Sequence, residues 1–253
     1  MGEAKRRKPG GFDLTTGFSE AERAQLSQMR TGAYRHARTV LERARTAPAA
    51  IQQHEIAALH LEGVRALDAS TEELLRSAPA GAAITAKIAC RKGCTFCCHS
   101  QVEVGIVEAI AIAHAIAGNP DLSAGVRAAA PKVQGLSALA RMQARIPCPL
   151  LRDGACSVYA DRPRSCRALT SYDVSACEDE FERPAAERAR RPTFTWPRYL
   201  ATALTSGVAM ACSELKLQSN TLELIAGIDT VLADQTTVAR WLAGETVFPV
   251  SPA

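Results

Sequence analysis

Four cysteines fall within nine residues, Cys90-Arg91-Lys92-Gly93-Cys94-Thr95-Phe96-Cys97-Cys98, and four more follow at Cys148, Cys156, Cys166 and Cys177. Closely spaced thiols in a turn can converge on one ion because the loop between them is already nearly closed. Each added soft sulfur favours zinc or iron over magnesium or calcium. Two such groups far apart in sequence must meet in space to complete a site, so the spacing dictates a fold that returns the chain to its own first motif. Binding would then contribute to folding directly, by roughly 10 kcal/mol or more for a closed zinc site. Gly93 suits the tight backbone turn such a loop needs.

A disulfide framework is the weaker reading of the same thiols. The N-terminus, MGEAKRRKPGG, is basic and glycine-containing with no apolar stretch behind it. It does not read as a secretory signal, and the expected compartment is the cytoplasm, where thiols stay reduced. The odd count of nine cysteines agrees, as does the vicinal pair Cys97-Cys98, whose members are awkward to bridge to each other. The candidate metal ligands are Cys90, Cys94, Cys97, Cys98, Cys148, Cys156, Cys166 and Cys177, with a plain buried thiol as the alternative for Cys177. Cys212 lies in Val208-Ala-Met-Ala-Cys-Ser-Glu-Leu215, an apolar helical context, and reads as core. His99 reads as a residue supporting the site or facing solvent, with ligation as its alternative. His36, His54, His60 and His114 read as structural, and Glu103 and Glu108 as helix-face or capping residues.

Length and composition bound the rest. At 253 residues and 47% apolar composition, the chain can bury a proper core as one compact domain, or one domain with a helical extension. Lys5, Arg6, Arg7 and Lys8 against Glu3 supply three of the four net positive charges, so the body is nearly neutral. With 5% aromatic residues it lacks both the basic stripe and the stacking platform of a nucleic-acid binder. The longest apolar stretch, Val104 to Ala117, is about 14 residues and contains Glu108 and His114. It is too short and too polar for a membrane span and reads as a buried central helix. No protein partner is implied.

The expected architecture is mainly α, a single helical domain with an irregular cysteine-rich metal-binding loop region. Residues 1–18 read as a flexible basic tail and 19–80 as an N-terminal helical layer. Residues 81–253 read as a cysteine-cluster domain with C-terminal helices, forming one compact unit with 19–80. Ser19 and Glu22 make a capping box before a helix to about Arg45. Ala49 to Leu67 continues in kind, and Ser70 with Glu73 marks a second capping box before a short helix ending near Ala78. Residues 81–89 read as loop or short extended chain, 103–118 as the central helix, and 121–145 as one amphipathic helix with Pro131 at a break or first turn. Pro, Gly, Arg and Cys dominate 147–177, where only short strands or one helical turn can hide. A helix is expected from about Arg198 to Lys216, and one or two more over 221–242.

The segments C-R-K-G-C-T-F-C-C and C-P-L-L-R-D-G-A-C-S-V-Y-A-D-R-P-R-S-C-R resemble the CxxCxxCC cysteine-cluster family, the YkgJ-type proteins described as zinc- or iron-chelating. The likeness spans about 90 residues, from Cys90 to Cys177, and includes Pro149, Gly154, Tyr159, Arg162, Pro163 and Arg167. Three residues, not two, separate the first pair of cysteines. The resemblance implies metal binding, by zinc or an iron–sulfur cluster, with no defined biochemical role. Around such a centre Arg162, Arg164 and Arg167 are placed to offset thiolate charge and donate to sulfur, or else to pair with Asp153, Asp161 or Asp173. Tyr159 is a candidate lid.

Two enzymatic alternatives follow from likeness of the first motif alone. One is an iron–sulfur protein lysine N-methylase, resembling the flagellin lysine N-methylase. The other is radical S-adenosylmethionine chemistry, whose signature Cys90-x3-Cys94-x2-Cys97 resembles. The latter enzymes are built on repeated β/α units, whereas a long helix and no strand series follows Cys98. No Ser/His/Asp set, phosphate loop or dinucleotide fingerprint is recognisable. Zinc and iron–sulfur both accept four thiolates. Seven or eight sulfurs exceed what one zinc can use and favour iron–sulfur or two metal ions.

Overall fold

The computed structural model describes residues 18–183 and 191–250. The expected flexible basic tail falls outside them, apart from Phe18. Among the described residues the chain is mainly helical, with eleven α-helices and four very short strands.

Helix α1, Glu20–Thr46, starts at the expected capping box. The Ser19 hydroxyl accepts from the Glu22 amide at 3.3 Å, and the Glu22 carboxylate accepts from the Ser19 amide at 2.7 Å. Pro48 turns the chain into α2, Ala49–Ser77, which runs back along α1 with the pairs Arg43–Glu55 and His36–Glu62 between them. The second capping box expected at Ser70 and Glu73 does not form, and α2 runs through it unbroken. No glycine or proline interrupts A-L-D-A-S-T-E-E-L-L, and the Thr71 hydroxyl donates to the Leu67 carbonyl at 2.8 Å, which accommodates it inside the helix. Residues expected as loop form α3, Gly81–Lys87, where three alanines favour helix.

Strand β1, Glu103–Gly105, precedes α4, Ile106–Ile116, and occupies the first residues of the expected central helix. Nine of the eleven residues of α4 are buried, as its apolar circumference requires, and it packs between α2 and α10. The amphipathic segment expected as one helix is two. Helix α5, Pro120–Val133, carries Pro131 in its last turn, and α6, Ala138–Gln143, follows. The break falls at Gly135, with φ +74°, after which the Ser137 hydroxyl accepts from the Ala140 amide at 3.2 Å to start α6.

Helix α9, Trp196–Glu214, lies beside α1 in the same direction. A Cβ at Gly207 would stand 2.3 Å from the Arg30 carbonyl oxygen, so the two backbones meet where only glycine fits. Strand β4, Thr221–Glu223, pairs antiparallel with β1, Val104 opposite Leu222. The helix expected from Thr221 therefore begins three residues later as α10, Leu224–Ala233, followed by α11, Thr237–Leu242. Both strands feed helices whose first turns are capped by glutamate: Glu108 accepts from the Gly105 amide at 3.2 Å and Glu223 from the Ala226 amide at 2.9 Å.

The main core surrounds α4 and draws on α1, α2, α5, α9, α10 and α11. A smaller core gathers Leu26, Leu67, Trp196, Leu200 and Leu204. Phe18, assigned from sequence to the tail, sits edge-on to the rings of Trp196 and Tyr199 at 5.7 and 4.7 Å. The cysteine segments occupy the chain between α3 and α9, anchored at the N-terminal end of α4.

Candidate metal centre

The first motif is held by its backbone. The Ala89 amide donates to the Ser171 carbonyl at 2.8 Å, and the Ser171 amide donates to the Cys90 sulfur at 3.1 Å. Gly93, at φ +96°, turns the chain as its place in the motif predicts. The Cys94 amide donates to the Arg91 carbonyl at 3.1 Å, and a 3-10 turn, Phe96–His99, presents Cys97 and Cys98.

The second motif folds back onto it. Strands β2, Leu151–Arg152, and β3, Ala155–Cys156, form a hairpin. Asp153 and Gly154 at its turn have φ +48° and +72°, the Asp-Gly signature of a tight hairpin. The Cys148 amide donates to the Cys98 carbonyl at 2.7 Å, joining the two motifs. Pro163 opens α7, Arg164–Ala168, which carries Cys166. Asp173 caps α8, Val174–Glu182, accepting from the Ser175 amide at 2.8 Å. Cys177, on α8, donates to the Asp173 carbonyl at 3.5 Å.

The sulfurs feel one another. Burial pushes the Cys90 thiol up, and Cys94, Cys177 and Cys97 add to it. Burial likewise raises Cys166, with Cys148, Cys97 and Cys156 as neighbours, and lifts Cys148 to about 11. Cys97, hydrogen-bonded to Cys98 and buried, is raised as well, and its charge reaches Cys90 and Cys94 in the first motif and Cys156 and Cys166 in the second. The eight candidate cysteines are thus gathered into one region. Cys212 is not among them: it is 3% exposed in the main core, and burial alone pushes it up, to about 12. Among the described residues no three His, Cys, Asp or Glu side chains stand in ligand geometry around one point.

The arginines divide. Arg162 lies over the Tyr159 ring at 4.4 Å, and its charge acts on Cys97, Cys156 and Cys166. Tyr159 is therefore a platform for this guanidinium. Arg164 does not serve the sulfurs: it meets Glu108 at 3.2 Å in full burial, with its amide donating to Glu108 at 2.9 Å. Burial opposes charge on Glu108, but Arg164 and His60 hold its carboxyl below the usual range. His60, expected to be structural, is completely buried here and reaches the Asp161 carbonyl at 2.8 Å. Burial and Arg164 lower its pKa. Arg167 directs its guanidinium to Asp68 at 3.0 Å and to the carbonyls of Tyr159 and Ala160 at 3.0 and 2.7 Å. It braces the loop that leads to Cys166. None of these arginines pairs with Asp153, Asp161 or Asp173 among the described residues.

His99, read from sequence as supporting the site, and two arginines that sequence reasoning passed over, Arg141 and Arg191, complete the surroundings. His99 stacks against Phe181 at 4.7 Å between ring centroids. Arg191 pairs with Glu180 at 2.8 Å and acts on Cys97. Buried nitrogens without a protein partner lie here: the Nε donors of Arg141, Arg162, Arg167 and Arg191, and His99 Nδ1, whose role depends on the ring tautomer. A single arginine in an amphipathic stretch gives no sequence signal that it will turn inward.

These residues suit a thiophilic metal. The donors are soft sulfurs, and the orphaned donors around them suit an anionic sulfur centre. The sequence profile of the CxxCxxCC family, described as a putative zinc- or iron-chelating domain, matches residues 89–197. No curated protein and no solved structure matches the chain.

Proposed function

With a CxxCxxCC domain over residues 89–197 as the premise, we propose that the protein binds zinc or iron through thiolates drawn from Cys90, Cys94, Cys97, Cys98, Cys148, Cys156, Cys166 and Cys177. One observation carries this reading: two motifs fifty residues apart in sequence are joined by the Cys148 to Cys98 backbone bond of 2.7 Å, while the ninth cysteine, Cys212, stays in the apolar core. A bound metal would be held by these cysteines as thiolates, so its affinity should rise with pH. One zinc and one iron–sulfur cluster each take four thiolates, so eight sulfurs favour two centres over one, and an iron–sulfur cluster is the occupant we propose for at least one of them. Such a metal supplies either structural cross-linking or, as a cluster, electron transfer. Arg162 is the guanidinium that answers the charge of Cys97, Cys156 and Cys166, and Arg167 keeps their loop in place. Thiolate ligands need a compartment that keeps thiols reduced, which makes the cytoplasm the location we propose. No described helix is long and apolar enough to cross a membrane.

The test is oxygen-free purification followed by iron, zinc and sulfide analysis and an absorption spectrum on one sample. Stoichiometric iron and sulfide with a broad band near 400 nm, typical of iron–sulfur chromophores, is the expected result. Colourless protein with one or two zincs would keep the metal and remove the cluster. Protein with neither metal would refute the function.

A further inference from the structure

Arg141, on α6, is 2% exposed. The other fully buried arginine, Arg164, has Glu108 at 3.2 Å, but Arg141 has no carboxylate within ion-pair distance among the described residues. Its Nη1 donates to the His99 carbonyl at 3.4 Å and to the Ile146 carbonyl, and its Nε is buried without a partner. Those carbonyls belong to the residue after Cys98 and to the residue two before Cys148. One guanidinium therefore clamps both cysteine motifs beside the bond that joins them.

A guanidinium stays charged in proteins, and a buried charge without a counter-ion is costly. The acidic groups whose field reaches Arg141 are Glu223 and Cys148. Glu223 already accepts from the Ala226 amide at 2.9 Å as the cap of α10, and burial favours its neutral form. Arg162 has the Tyr159 ring and Arg191 has Glu180. Arg141 alone of the three touches neither ring nor carboxylate; Glu223, whose charge reaches it ahead of that of Cys148, is not in contact, which leaves the cysteine segments it clamps as the source of the balancing anion.

We propose that Arg141 is a positioning residue for the metal centre, an internal cation that balances the cysteine thiolates and holds the Cys97-Cys98 and Cys148 segments together. This rests on the metal-binding reading above and adds that the loaded centre carries net negative charge. Two thiolates balance a divalent ion, and each further thiolate adds one negative charge. Removing the cation while keeping a hydrogen-bond donor should weaken the centre, whereas moving the charge to a lysine should not.

The full chain, purified without oxygen with the metal it carries, is challenged with EDTA, and retained zinc and iron are followed by elemental analysis. R141Q, which keeps an amide donor and loses the charge, should release metal about 10- to 100-fold faster than the unaltered protein. R141K, which keeps the charge, should stay within a few-fold of it. Equal acceleration in R141Q and R141K, or unaltered release in R141Q, would overturn the proposal and leave only a backbone clamp. If R141Q does not fold, R141K decides by itself: slow release supports the counter-ion role and rapid release overturns it. Unaltered protein that holds neither zinc nor iron would instead remove the metal-binding reading on which the inference stands.

Discussion

Cys148 and Cys212 are both thiols raised by burial, to about 11 and about 12, yet the regions around them are built differently. Cys212 lies on a regular helix among aliphatic side chains, with Ala211 completely buried beside it in the main core. Cys148 lies in irregular chain, bonded to the other motif and surrounded by thiols and arginines. In the helical layers every element has a reason in local sequence and packing. The cysteine region has a four-residue 3-10 turn, a pair of two-residue strands and helices of five and nine residues, with little regular ladder between them. Burial alone does not make a site. A sulfur becomes a candidate ligand when other sulfurs and unpaired cations share its burial.

The largest break in this comparison is loss of metal. Cys94→Ser or Cys166→Ser should lose metal and soluble yield, since a closed site contributes roughly 10 kcal/mol or more. Cys212→Ser should keep its metal content and lose only packing. Equal metal loss in all three, measured by elemental analysis, would erase the distinction between the regions. Next comes the buried pair that ties α4 to α7. Glu108→Ala leaves Arg164 uncompensated and should destabilise by about 3–5 kcal/mol in chemical unfolding.

The comparison sharpens with pH. Cys148 moves from an ordinary thiol value of 9.0 to about 11 in the fold. Its neutral form is therefore favoured by folding, and that stability is present below about pH 9 and lost as pH rises toward about 11. Metal-stripped protein should lose stability over this window, on the order of 3 kcal/mol for this thiol. Metal-loaded protein, whose thiols are already ionised, should not, and thermal melts across the window separate the two. A Gly207→Ala change, confined to the α1–α9 contact, should cost about 1–3 kcal/mol while leaving metal content unchanged. Ser19→Ala removes a cap on α1 and should cost about 1 kcal/mol, again with full metal content.

Most of the helical layers were legible in sequence because their signals are local and repeat. The Ser19–Glu22 box, the apolar circumference of α4 and the apolar context of Cys212 all appear where composition and spacing put them. The misreadings share a cause. Ser70–Glu73 has the spacing of a cap but no chain break before it, and the starts of α4 and α10 became strands because Val104 and Leu222 pair across 118 residues, which no local window contains. In the candidate site the cysteines announced themselves by spacing. Arg164 and Arg167 did not reveal that Glu108 and Asp68 would take them. Arg141 carried no signal at all, since its burial depends on how α6 folds back over His99 and Ile146.

The most direct measurement is X-ray absorption at the edge of whichever metal the oxygen-free protein carries. The account expects a coordination shell made of sulfur, at about 2.3 Å for zinc, unchanged by Cys212→Ser and disrupted by Cys166→Ser. A shell of nitrogen and oxygen, or a sulfur shell that survives loss of Cys166 intact, would contradict it.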